Sequence, residues 1–403
     1  MELIYEPFSP EIRVDPYPTY ARLRAEAPIY RAREADAWVL SRYEDVRFLL
    51  SHDELFSSDA MGAALAGRAP RAVQGAGTPR IVILLDPPQH GPMRSLLNRG
   101  FTPRRVSQIE IRLREIVAET MAHLKRRTRI DIVSELAVPV PTTIIAELLG
   151  VERERMSDFK RWSCDIIAGS TGSTRPTSVD ALPNPVFLRS IGELSEYLGE
   201  LGEARLLSPR DDLLTQLVRA QHGHVALTHD EVVMFALVLL IAGNETTTNL
   251  IGNVVHTLLA HPEQLERVQR DRSLIAGVIE ETLRYEAPIQ FVFRRARSSI
   301  ERHGVTIREG ETVIGLIGAA NRDERHFPDP ERFDITRDTS GHLTFGFGIH
   351  FCLGASLARL EAQLTLEALL EELPNRRLVT TVVENVDSFL VRGPRELVLE
   401  NAA

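Results

Sequence analysis

The sequence predicts a mainly α fold, a large helical domain carrying small β-sheets, and three observations predict it. A capped, apolar run from Thr228 to Pro262 reads as a long helix through the core. Two amphipathic stretches, Pro103 to Lys125 and Leu353 to Leu373, repeat their apolar residues at helical spacing. Short alternating runs, in VTIREGETVIGLIGAANRD and again in the last thirty residues, have the period of strands.

Composition sets the outer bounds. With 403 residues, 43% hydrophobic and 26% charged, the chain is globular and long enough to bury a large core. Length alone favours two domains or one large one. The net charge of -9 excludes nucleic acid as the main partner, because phosphate binding needs a basic surface. Two cysteines, Cys164 and Cys352, make no disulfide framework, so a reducing cytoplasm is expected. The N-terminal MELIYEPFSPEIRVDPYP has neither a signal pattern nor a spanning segment. The most apolar run, Val232 to Gly243, is about half the roughly 20 residues a bilayer needs, so no membrane association is expected.

Taken in order, the first sixty residues are punctuated by proline, with helical patches at TYARLRAEA and YEDVRFLLS. A Gly/Ala/Pro-rich loop follows from Met61 to Thr78. The segment DPPQHGPMRSLLNRGFTPRRV holds four prolines yet recovers a short helix around Met93 to Asn98. From Pro103, the spacing of Val106, Ile109, Leu113, Ile116, Val117 and Met121 fits one helix face. Gly169 to Pro185 reads as a second long loop, the kind that often serves as a lid. Thr228 and Glu231 form a T-x-x-E capping box at the start of the long helix, and a further helix runs from Ser273 to Glu286. No repeat, low-complexity block or convincing interdomain linker is visible; the single domain over 1–403 expected here is what the family resemblance given below implies.

Chemistry concentrates in TFGFGIHFCLGASL, Thr344 to Leu357. A lone cysteine is usually a small buried hydrophobe. Cys352, however, precedes a strong helix, where the dipole and free N–H groups favour a thiolate. Gly346, Gly348 and Gly354 remove side chains where backbone must approach something bulky or flat. Zinc would need more clustered ligands than His350 and Cys352 supply. A catalytic cysteine paired with a distant histidine stays open on spacing alone, but neither alternative explains the glycines.

The decapeptide Phe345-Gly346-Phe347-Gly348-Ile349-His350-Phe351-Cys352-Leu353-Gly354 resembles the haem-binding signature F-x-x-G-x-x-x-C-x-G of the cytochrome P-450 haem-thiolate monooxygenases. The resemblance implies haem b, with Cys352 as axial thiolate of the iron and Phe345, Gly346 and Gly354 around it. Ala242-Gly243-Asn244-Glu245-Thr246-Thr247 is similar to the family's A-G-x-D/E-T, which implies that Ala242 and Gly243 leave room for O2 and that Glu245 and Thr246 relay protons. An acid and a glycine inside an apolar helix are otherwise costly.

Further matches follow in order along the chain. His90 and Arg94 stand at i,i+4 and resemble an H-x-x-x-R clamp for the haem propionates, where the planar arginine fork suits a carboxylate. His350 and Arg294 complete the implied set, with Arg295 as the alternative to Arg294. Glu281 and Arg284 match E-x-x-R. Glu281 borders the apolar face of its helix, whereas Glu280 points nearly opposite, toward water. Arg332, in FPDPERF, is the expected third member of that structural set.

The resemblance implies a soluble monomer that takes electrons from a ferredoxin and its reductase and inserts one atom of O2 into an apolar small molecule. Direct use of H2O2 as a peroxygenase, or a haem-based gas sensor, are the alternatives; Glu245-Thr246 argues against the first, and in the second Gly243 and Thr246 would have no oxygen to manage. Family position places Ile83, Leu85, Ile166, Ile167, Ile289, Phe291, Val292 and Phe389 around the substrate. Arg99, Arg104, Arg105, Arg112 and Arg359 are candidates for a basic docking patch, weighed equally against an ordinary charged surface.

Overall fold

The structure, a computed structural model, describes residues 3–59, 80–171, 185–220, 227–379, 382–388 and 390–402. The loop expected from Met61 to Thr78 lies outside them, as does most of that from Gly169 to Pro185, together with Phe389 and the side chains of Arg104 and Ile167.

One helix organises the rest. His229–Ala260 begins on the expected capping box: the Glu231 N–H donates to Thr228 Oγ1 at 3.2 Å, and the Thr228 N–H donates to Glu231 Oε2 at 2.8 Å. Those two bonds satisfy N-terminal groups that the helix cannot satisfy itself. By length and composition this helix could cross a membrane, but here it runs through protein. Pro139–Leu149, Met156–Thr171, Ile275–Tyr285 and Ala355–Leu369 pack around it. Pro262 then opens the next helix, Pro262–Arg270.

Two apolar cores flank the long helix. One joins its C-terminal half (Leu250, Ile251, Val254, Leu258) to Pro103–Leu124, Ile275–Tyr285 and Ala355–Leu369. The other joins its N-terminal half (Val232, Ala236, Leu240) to Trp162, Phe159 and the helices Pro185–Leu207 and Leu213–Ala220.

The small sheets sit to one side. Five strands lie in the order Ile29–Ala32, Ala37–Leu40, Thr312–Leu316, Phe291–Ala296 and Phe56–Ser57. Ala37–Leu40 runs parallel to Thr312–Leu316, with Val39 opposite Ile314, and the other pairs are antiparallel. A second sheet places Val398–Asn401 between Arg129–Asp131 and Arg376–Leu378.

Strand alternation corrects one expectation. Phe291 and Phe293 face the N-terminal cluster of Tyr5, Tyr20 and Leu23, with their rings 5.4 Å apart, while Val292 and Arg294 face the other way. Phe291 is therefore core, not substrate lining. Ile166, fully buried beside Phe159 and Trp162, is core as well.

Candidate active site

The long helix is apolar around its middle, yet one face there stays open. Ala242 is exposed, and Phe235, Val238, Leu239, Glu245 and Thr246 on the same face are half-buried. The opposite face is tied down: Asn244 Nδ2 donates to Thr142 Oγ1 at 2.6 Å, and Thr248 Oγ1 donates to the Ala137 carbonyl at 3.0 Å. Thr246 Oγ1 donates to the Ala242 carbonyl, one turn back, at 2.6 Å. Burial, with no cation opposing it, pushes the Glu245 carboxyl up to about 7. Gly243 does not widen the open face. A Cβ there would meet Ile145 Cδ1 at 2.7 Å, so this glycine lets Pro139–Leu149 pack close, contrary to the role expected for it.

The cysteine loop is held from several sides. Asn321 Nδ2 donates to Thr344 Oγ1 at 2.8 Å, its Oδ1 accepts from the Leu343 N–H at 2.7 Å, and Thr344 Oγ1 donates to the Leu283 carbonyl at 2.6 Å. The Cys352 N–H returns to the Phe345 carbonyl at 2.8 Å. Two of the glycines serve the turn. Gly346 and Gly348 have φ of 73° and 71°, and a Cβ on Gly348 would meet the Leu50 carbonyl at 2.7 Å. Only Gly354 opens onto free space, with nothing within 4 Å of its missing Cβ.

The helix after Cys352 begins at Ala355, with Gly354 as its N-cap. Cys352 thus lies outside it, and the expected thiolate does not follow from the helix. The sulfur is open to water yet ringed by protein, and burial pushes the thiol up; the Gly354 N–H, Arg94 and Arg359 pull it back only in part.

Four basic side chains gather beside the loop. His90 is buried, and its Nε2 has no hydrogen-bond partner among the described residues. Its ring centre lies 4.5 Å from that of His350. His350 Nε2 is 2.9 Å from Ser58 Oγ, and burial with the Arg294 and His90 charges pushes the imidazole down to about 3. Arg294 is buried, donates to the Phe293 carbonyl at 2.8 Å, and is pushed down by burial to about 10. Arg94 Nη2 donates to the Phe351 carbonyl at 2.5 Å. Arg295 points outward to Asp59 at 3.0 Å, so Arg294 is the arginine that reaches this group. Asp86, an acid close enough to act on His90, Arg294 and His350, is taken up by Ser57, Ser58 and Arg297, three neighbours that sequence alone did not suggest.

A buried arginine, Arg294, with Arg94 and two imidazoles that can donate or accept, beside the Cys352 thiol, fits a flat cofactor with two carboxylates and a metal that takes sulfur.

The structural set below the loop is built on a bidentate pair. Arg284 Nε and Nη2 donate to Glu281 Oε2 and Oε1 at 2.7 and 2.8 Å, both side chains fully buried. The third member is Arg337, whose Nε donates to Glu281 Oε1 at 3.2 Å. Arg332 does not fill that place: its side chain is 62% exposed, and only its backbone carbonyl accepts from Arg284 and Arg337. Glu280, expected in water, instead accepts from Arg359 at 2.6 and 2.9 Å and lies 3.1 Å from His342.

Of the other residues expected around the substrate, Ile83 is exposed, Leu85 and Ile289 are half-buried, and Val292 packs against the cluster of Val46, Leu49 and Leu50.

Comparison with known proteins agrees with this geometry. The cytochrome P450 family model matches residues 28–374. Cytochrome P450 107B1 of Saccharopolyspora erythraea is 39% identical over 91% of this chain and 90% of its own length. Vitamin D(3) 25-hydroxylase of Pseudonocardia autotrophica is 38% identical over 96% of this chain and 94% of its own. Cytochrome P450 CYP109Q5 from Chondromyces apiculatus superposes with a TM-score of 0.88 at 40% identity, covering 100% of this chain and 99% of that one. The chain belongs to the cytochrome P450 family. It has the P450 fold and is a P450 monooxygenase with haem b as cofactor, using O2 and electrons from a redox partner.

Proposed function

We propose that this single-domain chain is a cytoplasmic monomer that inserts one oxygen atom into a largely apolar small molecule, with electrons from a ferredoxin and its reductase. Cys352 would ligate the haem iron through its sulfur, and His90, Arg94, Arg294 and His350 would hold the two propionates, with Phe345, Gly346 and Gly354 against the ring. When bound, haem b supplies the activation of O2.

The protein's own side chains then handle protons and positioning. Glu245, near 7, can both take and give a proton at neutral pH, which is where a general acid–base group works best. Thr246 stands one residue on, half-buried on the same face, and its hydroxyl, now donated to the Ala242 carbonyl, would have to turn from that bond to relay a proton from Glu245. Leu239, Val238, Phe235, Leu85, Ile83 and Ile289 offer an apolar surface with few polar groups to orient a ligand. Steroids, terpenoids, fatty acids and polyketides share that chemistry. The relative named for vitamin D(3) hydroxylation favours a rigid, steroid-like molecule.

The observation that carries this assignment is the half-accessible Glu245–Thr246 pair on the one open face of a buried helix. Its test is spectroscopic first. The reduced protein with carbon monoxide should give the red-shifted Soret band of thiolate ligation, and Cys352→Ala or Cys352→His should lose it. A wild-type band of the histidine-ligated kind overturns the assignment. Oxygen consumption with a surrogate ferredoxin, its reductase, NADPH and vitamin D(3) then tests donor and substrate class.

A further inference from the structure

Glu280 has no part in the proton relay or the haem-holding group, yet both its carboxylate oxygens are engaged. Arg359 closes on it as a fork, Nε to Oε1 at 2.6 Å and Nη2 to Oε2 at 2.9 Å, and His342 Nε2 reaches Oε2 at 3.1 Å. Burial alone would raise this carboxyl, but His342 and Arg359 outweigh it and hold the group at about 2. The carboxylate therefore stays charged at any working pH.

The fork fixes where the guanidinium goes. Arg359 lies on the helix that follows Cys352, and its guanidinium carbon sits 4.4 Å from the centre of the Phe345 ring. Phe345 is also the residue whose carbonyl receives the Cys352 N–H at 2.8 Å. Arg359 is thus tied, through the Phe345 ring and the Phe345 carbonyl, to the backbone that carries the Cys352 sulfur. Glu280, on Ile275–Tyr285 and itself held by His342 just before the cysteine loop, thus locks a cation over the Phe345 ring.

We propose that Glu280 is a positioning residue for the proximal ligand: by holding Arg359 over Phe345, it fixes a positive charge that favours the reduced, more negative state of the bound haem iron. This rests on Cys352 being the axial ligand. A cation placed near added negative charge lowers its energy, most of all where water is scarce. The same contact explains why Arg359 is not free to serve a docking partner.

The test is the midpoint potential of the haem-loaded protein by spectroelectrochemistry, with the carbon monoxide band as a check on ligation. Arg359→Gln removes the cation, and Glu280→Gln releases it. Both should shift the reduction equilibrium severalfold toward the oxidised form, up to about tenfold, which is about 59 mV for one electron. The double variant should go no further than Arg359→Gln alone, because the two residues act as a unit. Arg359→Lys and Glu280→Asp should restore part of the shift. A rise in potential in Glu280→Gln shows that the acid acts only as a nearby negative charge, and no change in either variant shows that the bracket is purely structural. Both results overturn the proposal. Absence of the thiolate band in the wild type overturns the ligand assignment instead, so the two failures are distinguishable.

Discussion

Burial alone sets the chemistry of Glu245, and this gives it a pH signature. Its carboxyl keeps its proton below about 7 and loses it above. A residue that must hand on a proton should therefore support turnover that falls as pH rises through 7. Glu245→Gln should lower turnover on the order of a hundredfold and remove that inflection. Steady-state rates from pH 5.5 to 8.5 check both effects. At this scale the sequence was informative where chemistry is local. An acid beside threonine in an apolar run, and a cysteine among glycines, are anomalies visible without coordinates. The Gly243 contact was not, because the Ile145 side chain that fills its space is about a hundred residues away.

Between elements, the arginine that completes the Glu281 set shows where sequence reasoning stops. Arg332 and Arg337 are five residues apart in one irregular segment, and either could reach Glu281 on spacing. The fold chooses Arg337, because the chain turns so that the Pro328, Asp329 and Arg332 carbonyls surround its guanidinium. Arg337→Ala should then destabilise the protein clearly, while Arg332→Ala should stay within about 0.5 kcal/mol. Breaking the pair itself by Glu281→Ala should cost about 3–5 kcal/mol, since it strands a buried arginine. Urea midpoints of the haem-loaded variants measure all three. The helix Ala355–Leu369 carries another acid that its periodicity could have flagged, since Glu361 stands one turn from Leu357 on the buried side. It is fully enclosed, its Oε2 lacks a partner among the described residues, and burial pushes it up to about 8. Its folded value lies above the ordinary 4.5, so its burial costs nothing at pH 4.5 and progressively more up to pH 8. Stability should fall over that window, and Glu361→Gln should flatten the slope.

For the molecule as a whole, the predicted basic patch survives only in part. Arg105 pairs with Asp211, Arg112 with Glu147 and Glu115, and Arg359 with Glu280, whereas Arg99 is exposed. Paired surface charges steer a partner weakly. Arg99→Glu should slow reduction by an acidic ferredoxin severalfold at low salt, with the effect fading above about 0.1 M, where the screening length is about 10 Å. Stopped-flow reduction at two ionic strengths checks this. The class of fold was legible because long capped helices announce themselves. The strand partners were not, since pairing Ala37–Leu40 with Thr312–Leu316 depends on everything between them.

That parallel pairing, with Val398–Asn401 closing on Arg129–Asp131, also dictates when the molecule can become itself during synthesis. Contacts of such sequence separation are paid for in loop entropy before they return any packing, so they form late and slowly. Leu397 and Leu399, at the far end, belong to the main core. A ribosome that has made the first three hundred residues holds helices but no closed sheet. If the cysteine loop holds the haem, capture should come late, after that loop and the last strand have both emerged, and chain supply outpacing haem supply should yield partly open protein with exposed apolar surface.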